Sequence, residues 1–580
     1  MTAQSTPGDV AATAKAILRR ALRRQRSRVV PGVLLLCAHQ AAEALVPVAI
    51  GVVIDQAVAS GSGTALAISV LALAALFTVL ALAWRFGARF AYAAVEREAH
   101  ALRVEIARKA LDPRGQRSGM RDGELLSVTS SDTELTALVV RAAGLVASAL
   151  TALLVAAVAL LAIDIPLGLA VLVGVPAIVL ALHRLAPLLT RRSAAQQEAM
   201  AATTALATDL VSGLRVLRGV GAQHNAARRY AAESQRALAV TLRAANTKGL
   251  YRGLTTTVNG LFLAVVAGLA GWLALRGQIT VGELVAVVGL AQFVAEPVQA
   301  LGFCLQLFAT ARASAGRVAR VLGAAPRVVP GDETVAEPGE VRLRLDGITY
   351  RGLDGLDLSV RAGEVLGVVA YDPRDAEALL ALLAGQVPRE EYTGSLAVDG
   401  VPAEALDLDT ARRTVLVEQH DVALFEGTLR SNLLAGARDP AGAGELVESA
   451  ILAAAADDVV AAHPDGLDRP VAESGRNLSG GQRQRIGLAR ALVADPPVLV
   501  LHDPTTSVDA VTEGMIADRL PAVRGDRPTA APGTVLVTSS PVLLGRAHRV
   551  AVVDAGRVVA EGTHADLVQG DARYREAVLR

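Results

Sequence analysis

At 580 residues the chain is too long for one hydrophobic core, so two or more domains are expected. Hydrophobic residues make up 52% of it and aromatics only 3%, with the long apolar runs confined to the N-terminal half, which excludes a wholly soluble chain and fits a membrane protein with a soluble tail. A formal net charge of +1 implies no nucleic-acid partner, and Cys37 and Cys304, in separate apolar stretches, read as small apolar side chains and not as a disulfide or metal pair.

In chain order, residues 1–28 form a basic N-terminal segment, dense in Arg between Arg19 and Arg28. The apolar run behind it is too long for a signal-peptide core, so it reads as a retained anchor. Apolar runs of spanning length follow at 29–54, 64–84, 138–163, 166–182, 254–275 and 281–307, which predicts six membrane helices within a domain at 29–322. The links between the first and second, third and fourth, and fifth and sixth runs are short and nearly uncharged, whereas 85–137 and 183–253 are long and rich in Arg. Basic residues gather in cytoplasmic loops, so both termini and both long excursions are expected in the cytoplasm of a bacterial cell, with the spans in its inner membrane. Apolar residues recur at helical spacing in the excursions (Ala94, Val95, Leu102, Ile106; Leu210, Leu214, Leu217), so the membrane helices are expected to continue into water and to turn at Gly-containing breaks near 122–127 and 212–221.

A Pro-, Gly- and acid-rich linker is read at 323–339. From 340 to 580, short β-type runs at 341–345, 365–370, 415–418, 498–501, 535–538 and 550–554 alternate with helical stretches at 376–383, 443–462, 481–493 and 511–520, predicting an α/β domain around a mainly parallel sheet.

Within this tail stands Asn477-Leu-Ser-Gly-Gly-Gln-Arg-Gln-Arg485, flanked by Pro464-Asp-Gly-Leu-Asp468 and Ile486-Gly-Leu-Ala-Arg-Ala-Leu492. Together with the six spans and two excursions it resembles a half-transporter of the ATP-binding cassette (ABC) superfamily with the exporter-type fold: a six-helix transmembrane domain fused to an α/β nucleotide-binding domain. The resemblance covers essentially the whole chain. It implies that Ser479, Gly480, Gly481 and Gln482, at a loop-to-helix junction, present backbone N–H groups and a hydroxyl to a phosphate held by a second subunit. It also implies that Asp509 reaches toward that opposite site.

The phosphate grip itself is missing. No lysine follows Lys248, so a Gly-x-x-x-x-Gly-Lys-Ser/Thr loop cannot be built. Aligning Gly363-Glu364 and the later Ala384-Gly385 with the family places Ala376 at the lysine position and Glu377 at the magnesium-binding hydroxyl, with Asp372 and Asp375 adding negative charge opposed only by Arg374. After strand 498–501, His502 and Asp503 stand where the family has a magnesium ligand and a catalytic carboxylate; a shift of frame would make Asp503 the ligand and put Pro504 at the base. The switch histidine falls on Ser540, the magnesium-sensing glutamine on His420 or on Gln419 one residue early, and the adenine-stacking aromatic near Tyr350 or Gly352. No metal site belongs to this chain on that reading. ATP and Mg2+ would be held mainly by a partner half-transporter with intact motifs, and the pair would move a small apolar or amphipathic solute across the lipid bilayer, most simply outward. Import of an iron chelate on the same fold, or a regulatory pseudo-transporter, are the alternatives.

Overall fold

A computed structural model describes residues 13–579 apart from Ser60, Leu185, Ala336 and 526–530. It divides into two compact units. One takes in the chain through Lys109 and then Met120–Gly323; the other takes in Ala110–Gly119 and the chain from Ala324 onward.

The first unit is helical. Five helices are long and apolar enough to cross a membrane: Arg26–Val58, Gly63–Ala110, Asp122–Ile163, Gln223–Leu275 and Val281–Leu322. The fourth apolar run forms the 19-residue helix Ile165–His183, about 28 Å long, followed by Ala186–Ser212. Polar caps set the turns between spans: Asp164 accepts from the Leu167 N–H at 2.8 Å, and Thr280 and Glu283 form a reciprocal capping box. The excursions do continue the membrane helices. Gln223–Leu275, with 53 residues, is about 80 Å long, far beyond a bilayer core of about 30 Å. Short helices, Asp122–Ser127 and Leu214–Gly219, occupy the two turns that the Gly-containing breaks mark.

Small residues let these helices approach closely. A Cβ on Gly51 would lie 2.4 Å from the Gly282 carbonyl oxygen, so the first and last spans meet there backbone to backbone. Asp55 fastens the same crossing, accepting from the Gly282 N–H at 2.9 Å and from the Thr280 hydroxyl at 2.5 Å. Large apolar side chains such as Leu71 and Leu154 stay exposed, as contact with hydrocarbon requires.

The second unit holds a six-stranded sheet in the order Arg557–Gly562, Arg549–Asp554, Val365–Ala370, Gly533–Val537, Val498–His502, Val415–Glu418; only the first pair is antiparallel. Its central strands are apolar on both faces because helices cover both, so they read as continuous runs (Val365-Leu-Gly-Val-Val369) rather than alternating ones. In a second, antiparallel sheet of Leu353–Arg361, Val341–Tyr350, Thr393–Val398 and Val401–Pro402, the run at 341–345 reads as a strand in the sequence but the other three do not, since Leu353–Arg361 and its neighbours alternate buried apolar with exposed polar residues (Leu356, Asp357, Leu358) and resemble loops by composition. The stretch read as one helix at 443–462 is two, Gly444–Ala453 and Asp457–Ala461, parted at Ala455, whose φ is +47°.

Segments on either side of the domain share the second unit. The Arg327 and Val328 N–H groups donate to the Arg114 carbonyl at 3.2 and 3.0 Å, the Arg117 guanidinium pairs with Glu390, and the Arg412 guanidinium reaches the Pro113 carbonyl. The Glu333 N–H donates to the Ala405 carbonyl and its own carbonyl accepts from Asp407, so 324–333 is laid along the domain surface.

Candidate functional site

The strand Val365–Ala370 delivers the chain to the position expected for a phosphate loop. What stands there is a helix. Pro373 begins Pro373–Leu383 with its φ already suited to a first turn and no N–H to satisfy, and Asp372 caps it by accepting the Arg374 N–H at 2.9 Å. The same carboxylate holds the Arg374 guanidinium at 2.6 Å, and this bond keeps the Asp372 carboxyl below the usual range. An internal anion therefore occupies the helix end that would attract a phosphate. Ala376 is buried in the core under the first turn, while Glu377 is exposed. Asp375 does not add charge to this cleft: its side chain is buried and accepts the Gly556 N–H at 3.0 Å, packed against Gly352.

Beside this helix end is a cleft lined by Ala376, Glu377, His420, His502, Asp503 and Ser539. The two imidazoles meet edge to face, Nδ1 to Nδ1 at 3.3 Å, and His502 Nε2 lies 3.8 Å from Asp503. Burial lowers the His502 pKa below its ordinary value, against the opposing pull of Asp503, so the ring is neutral at pH 7. Two facing imidazoles offer nitrogen, not the oxygen that Mg2+ prefers. Asp503 takes a left-handed backbone (φ +43°), its N–H donating to the Val537 carbonyl. Of the two candidates for the glutamine position, His420 lines this cleft and Gln419 does not. After Val537, Ser539 lines the cleft; Ser540, the position counted for the switch residue, caps Pro541–Leu544 and donates its hydroxyl to Glu513 at 2.7 Å. Tyr350 is buried in the core of the antiparallel sheet and is not offered as a stacking platform.

The signature run is built differently. Ser479 caps the helix Gly480–Ala494, accepting the Gln482 N–H at 3.2 Å, while Gln482 accepts the Ser479 N–H at 3.0 Å. The first N–H groups of a helix have no intrahelical acceptor, and Ser479 itself is exposed. Gly481 is required by packing, since a Cβ there would lie 2.5 Å from the Ser507 carbonyl oxygen; Gly480 has 3.4 Å to Ser507. Asp509 is exposed and caps Ala510–Gly525, its carboxyl lowered chiefly by the Thr512 N–H, which donates at 3.0 Å.

Two residues overlooked in the sequence join these parts. Gln484 donates to Thr506 Oγ1 at 2.7 Å and to the His420 carbonyl at 3.3 Å, and accepts the Ser507 N–H at 2.8 Å, tying the signature helix to both cleft loops. Glu418 is paired with Arg490 at 2.7 Å; burial raises its carboxyl despite that partner. A Gln and an Arg on the inward face of the signature helix were the available signal.

Comparison with known proteins agrees with this architecture. Residues 29–298 match the family model of the ABC transporter transmembrane region and residues 353–506 that of the ABC transporter. The multidrug efflux ATP-binding/permease protein of Mycobacterium tuberculosis is 31% identical over 82% of this chain, but the match spans only 40% of that relative's own length. The mycobactin import ATP-binding/permease protein IrtB of Mycolicibacterium thermoresistibile is 33% identical over 78% of this chain and 77% of the relative. Among solved structures, a bacterial Atm1-family ABC exporter with ATP bound superposes with a TM-score of 0.74, covering 96% of this chain and 98% of the other at 23% identity, which establishes the fold.

Proposed function

The chain belongs to the ABC transporter family, a multi-pass membrane protein with the exporter fold, and from that premise we propose that it is the degenerate-site subunit of a heterodimeric ATP-driven exporter. The observation that carries this reading is the contrast between two helix ends. The one at Pro373 is closed by Asp372, whereas the one at Ser479 is exposed and capped only by its own capping box. On this reading a partner subunit with an intact phosphate loop holds ATP and Mg2+. This chain supplies Ser479, Gly480, Gly481, Gln482 and Asp509 against that nucleotide. Its own loop does not fit a triphosphate and Mg2+: Ala376, Glu377, His502, Asp503 and Ser539 offer neither an ammonium nor an ordered set of oxygen ligands. The Arg-rich excursions support a reading with both termini in the cytoplasm and the six spans in the bacterial inner membrane. The domain limits follow as 29–322 for the membrane part and 340–580 for the nucleotide-binding part, joined by 323–339.

Export of an apolar or amphipathic solute is the first reading. Import is the second, favoured by relatives named for mycobactin import. Assaying ATP hydrolysis by the chain alone and by the pair it copurifies with tests the degenerate-site reading, and the sign of ATP-driven flux in vesicles decides between the two directions.

A further inference from the structure

The six spans are almost free of charge, and the exceptions are of one sign. Counted from the short turns inward, no Lys or Arg comes within about 27 Å on any span; the first ones met are Arg28, Arg85, Arg141, Arg184, Arg252 and Arg312. Arg276 lies in a turn, stacked 3.8 Å over Trp272. Beyond Asp55, Asp164 and Glu283, which cap or fasten the turns themselves, Glu43 and Glu296 are the two carboxylates inside that depth.

They stand at one level. Asp55 is fastened to Gly282, Gly51 meets Gly282 and Ala286, and a Cβ on Gly289 would lie 2.7 Å from Pro47. That antiparallel register carries on, one turn at a time, to Glu43 on the first span and the Phe293–Glu296 turn on the last. Stepping inward from the fastened ends puts Glu43 about 18 Å and Glu296 about 21 Å deep, near the middle of a hydrocarbon core of about 30 Å. Glu296 is within Coulombic range of Glu43.

A third group stands beside them. His39 Nε2 lies 3.6 Å from Glu43 Oε2, and its Nδ1 is 2.9 Å from the Leu80 carbonyl oxygen. A carbonyl only accepts, so the Nδ1 facing it is the protonated nitrogen, and Nε2 is the one turned to Glu43. Even a protonated His39 leaves two carboxylates against one cation. The Glu43 side chain is 35% exposed and Glu296 is exposed as well. Carboxylates held at mid-bilayer depth on an open face cannot be turned to hydrocarbon without a cost of several kcal/mol, so that face borders water or a polar ligand. Among the described residues no group of three His, Cys, Asp or Glu side chains is arranged to hold a metal ion.

We propose that Glu43, Glu296 and His39 form the recognition site for the transported solute, and that this solute is a lipophilic organic cation. The proposal rests on the transport reading above and narrows it. The apolar walls take the hydrophobic body and the carboxylates the charge, in a low-dielectric setting where one pairing is worth far more than in water.

The test uses a matched pair of probes, tetraphenylphosphonium and tetraphenylborate, alike in shape and opposite in sign. Each is dialysed to equilibrium against the detergent-purified assembled transporter without ATP. The wild type is expected to bind the phosphonium and not the borate, and the double variant Glu43→Gln/Glu296→Gln to bind the phosphonium about tenfold or more weakly. Glu43→Asp, which keeps the charge, is expected to stay within about threefold of wild type and shows that the site tolerates substitution without unfolding. Equal binding of the two ions, no phosphonium binding by the wild type, or undiminished binding by the double variant would overturn the cation site. Binding is read without ATP, so normal phosphonium binding with no ATP-driven flux in vesicles would count against the transport reading and leave the cation site standing.

Discussion

The Asp372 carboxylate is bonded to the Arg374 N–H at 2.9 Å and to the Arg374 guanidinium at 2.6 Å, so the helix end nearest the expected phosphate position is already neutralised from within the chain. A triphosphate would have to displace that pair and then lie beside Glu377 with no ammonium to meet it. The purified chain alone is therefore expected to hydrolyse no ATP above background. Ala376→Lys by itself should not restore turnover, because the Asp372 cap and the exposed Glu377 carboxylate remain at the helix end. A coupled-enzyme ATPase assay of both proteins checks this, and magnesium-dependent turnover by either contradicts it.

The short helices Asp122–Ser127 and Leu214–Gly219 sit at the turns of the two excursions, the second followed by Gly221 at φ +67°. If rigid short helices transmit closure, Leu125→Pro and Leu217→Pro should leave the assembled pair's ATPase largely intact while flux falls severalfold. Parallel measurement of hydrolysis and vesicle transport reads the ratio; normal flux in both variants would refute the role.

Arg342 and Asp399 form an ion pair at 3.0 Å, both side chains 2% exposed, and the Arg342 guanidinium also donates to the Ala531 carbonyl. Removing one partner strands a buried charge, so Arg342→Ala should cost about 3–5 kcal/mol. Thermal unfolding of the full chain is expected to show a midpoint several degrees lower, and Arg342→Met with Asp399→Asn, which suits the left-handed backbone and keeps an acceptor for the Gly339 N–H, should recover much of the loss.

The His502 ring has its pKa lowered from 6.5 by burial. As pH falls through about 6.5 the unfolded chain takes up this proton before the folded one, so stability present above that pH is lost below it. His564, likewise lowered by burial, acts in the same direction. The thermal midpoint should fall between pH 7.5 and 5.5, and His502→Asn should flatten part of that slope. A slope unchanged in the variant would show that His502 is not one of its sources.

The strand Val365–Ala370 was legible to the residue, because a strand covered on both faces shows as an unbroken apolar run, and the half-buried edge strand Val415–Glu418 was legible from its three β-type residues. Leu353–Arg361 and Thr393–Val398 were not, since half of each faces water and Asp354, Asp357 and Ser395 look like turn residues. Within the site, residue types were readable but directions were not. Asp375 reads as repulsive charge in the sequence but its side chain is bonded to Gly556, and the sequence does not tell that Ser539 lines the cleft while Ser540, the counted position, turns to Glu513. Gln484 binds three partners from two loops distant in sequence, information that no local pattern contains.

The central claim is that this chain acts through its signature helix and not through its own phosphate loop. It is tested most directly by the ATPase rate of the assembled pair carrying either Gly480→Asp or Glu377→Gln in this chain. A Cβ at Gly480 has 3.4 Å to its nearest neighbours, so the aspartate can be accommodated without disturbing the fold, but it sets a negative charge against the partner's nucleotide. Donors aimed at developing phosphoryl charge are worth about 3–4 kcal/mol, so Gly480→Asp should cut turnover at least about a hundredfold with assembly intact, while Glu377→Gln should leave it within about twofold. Equal effects of the two substitutions, or full activity with Gly480→Asp, would contradict the account.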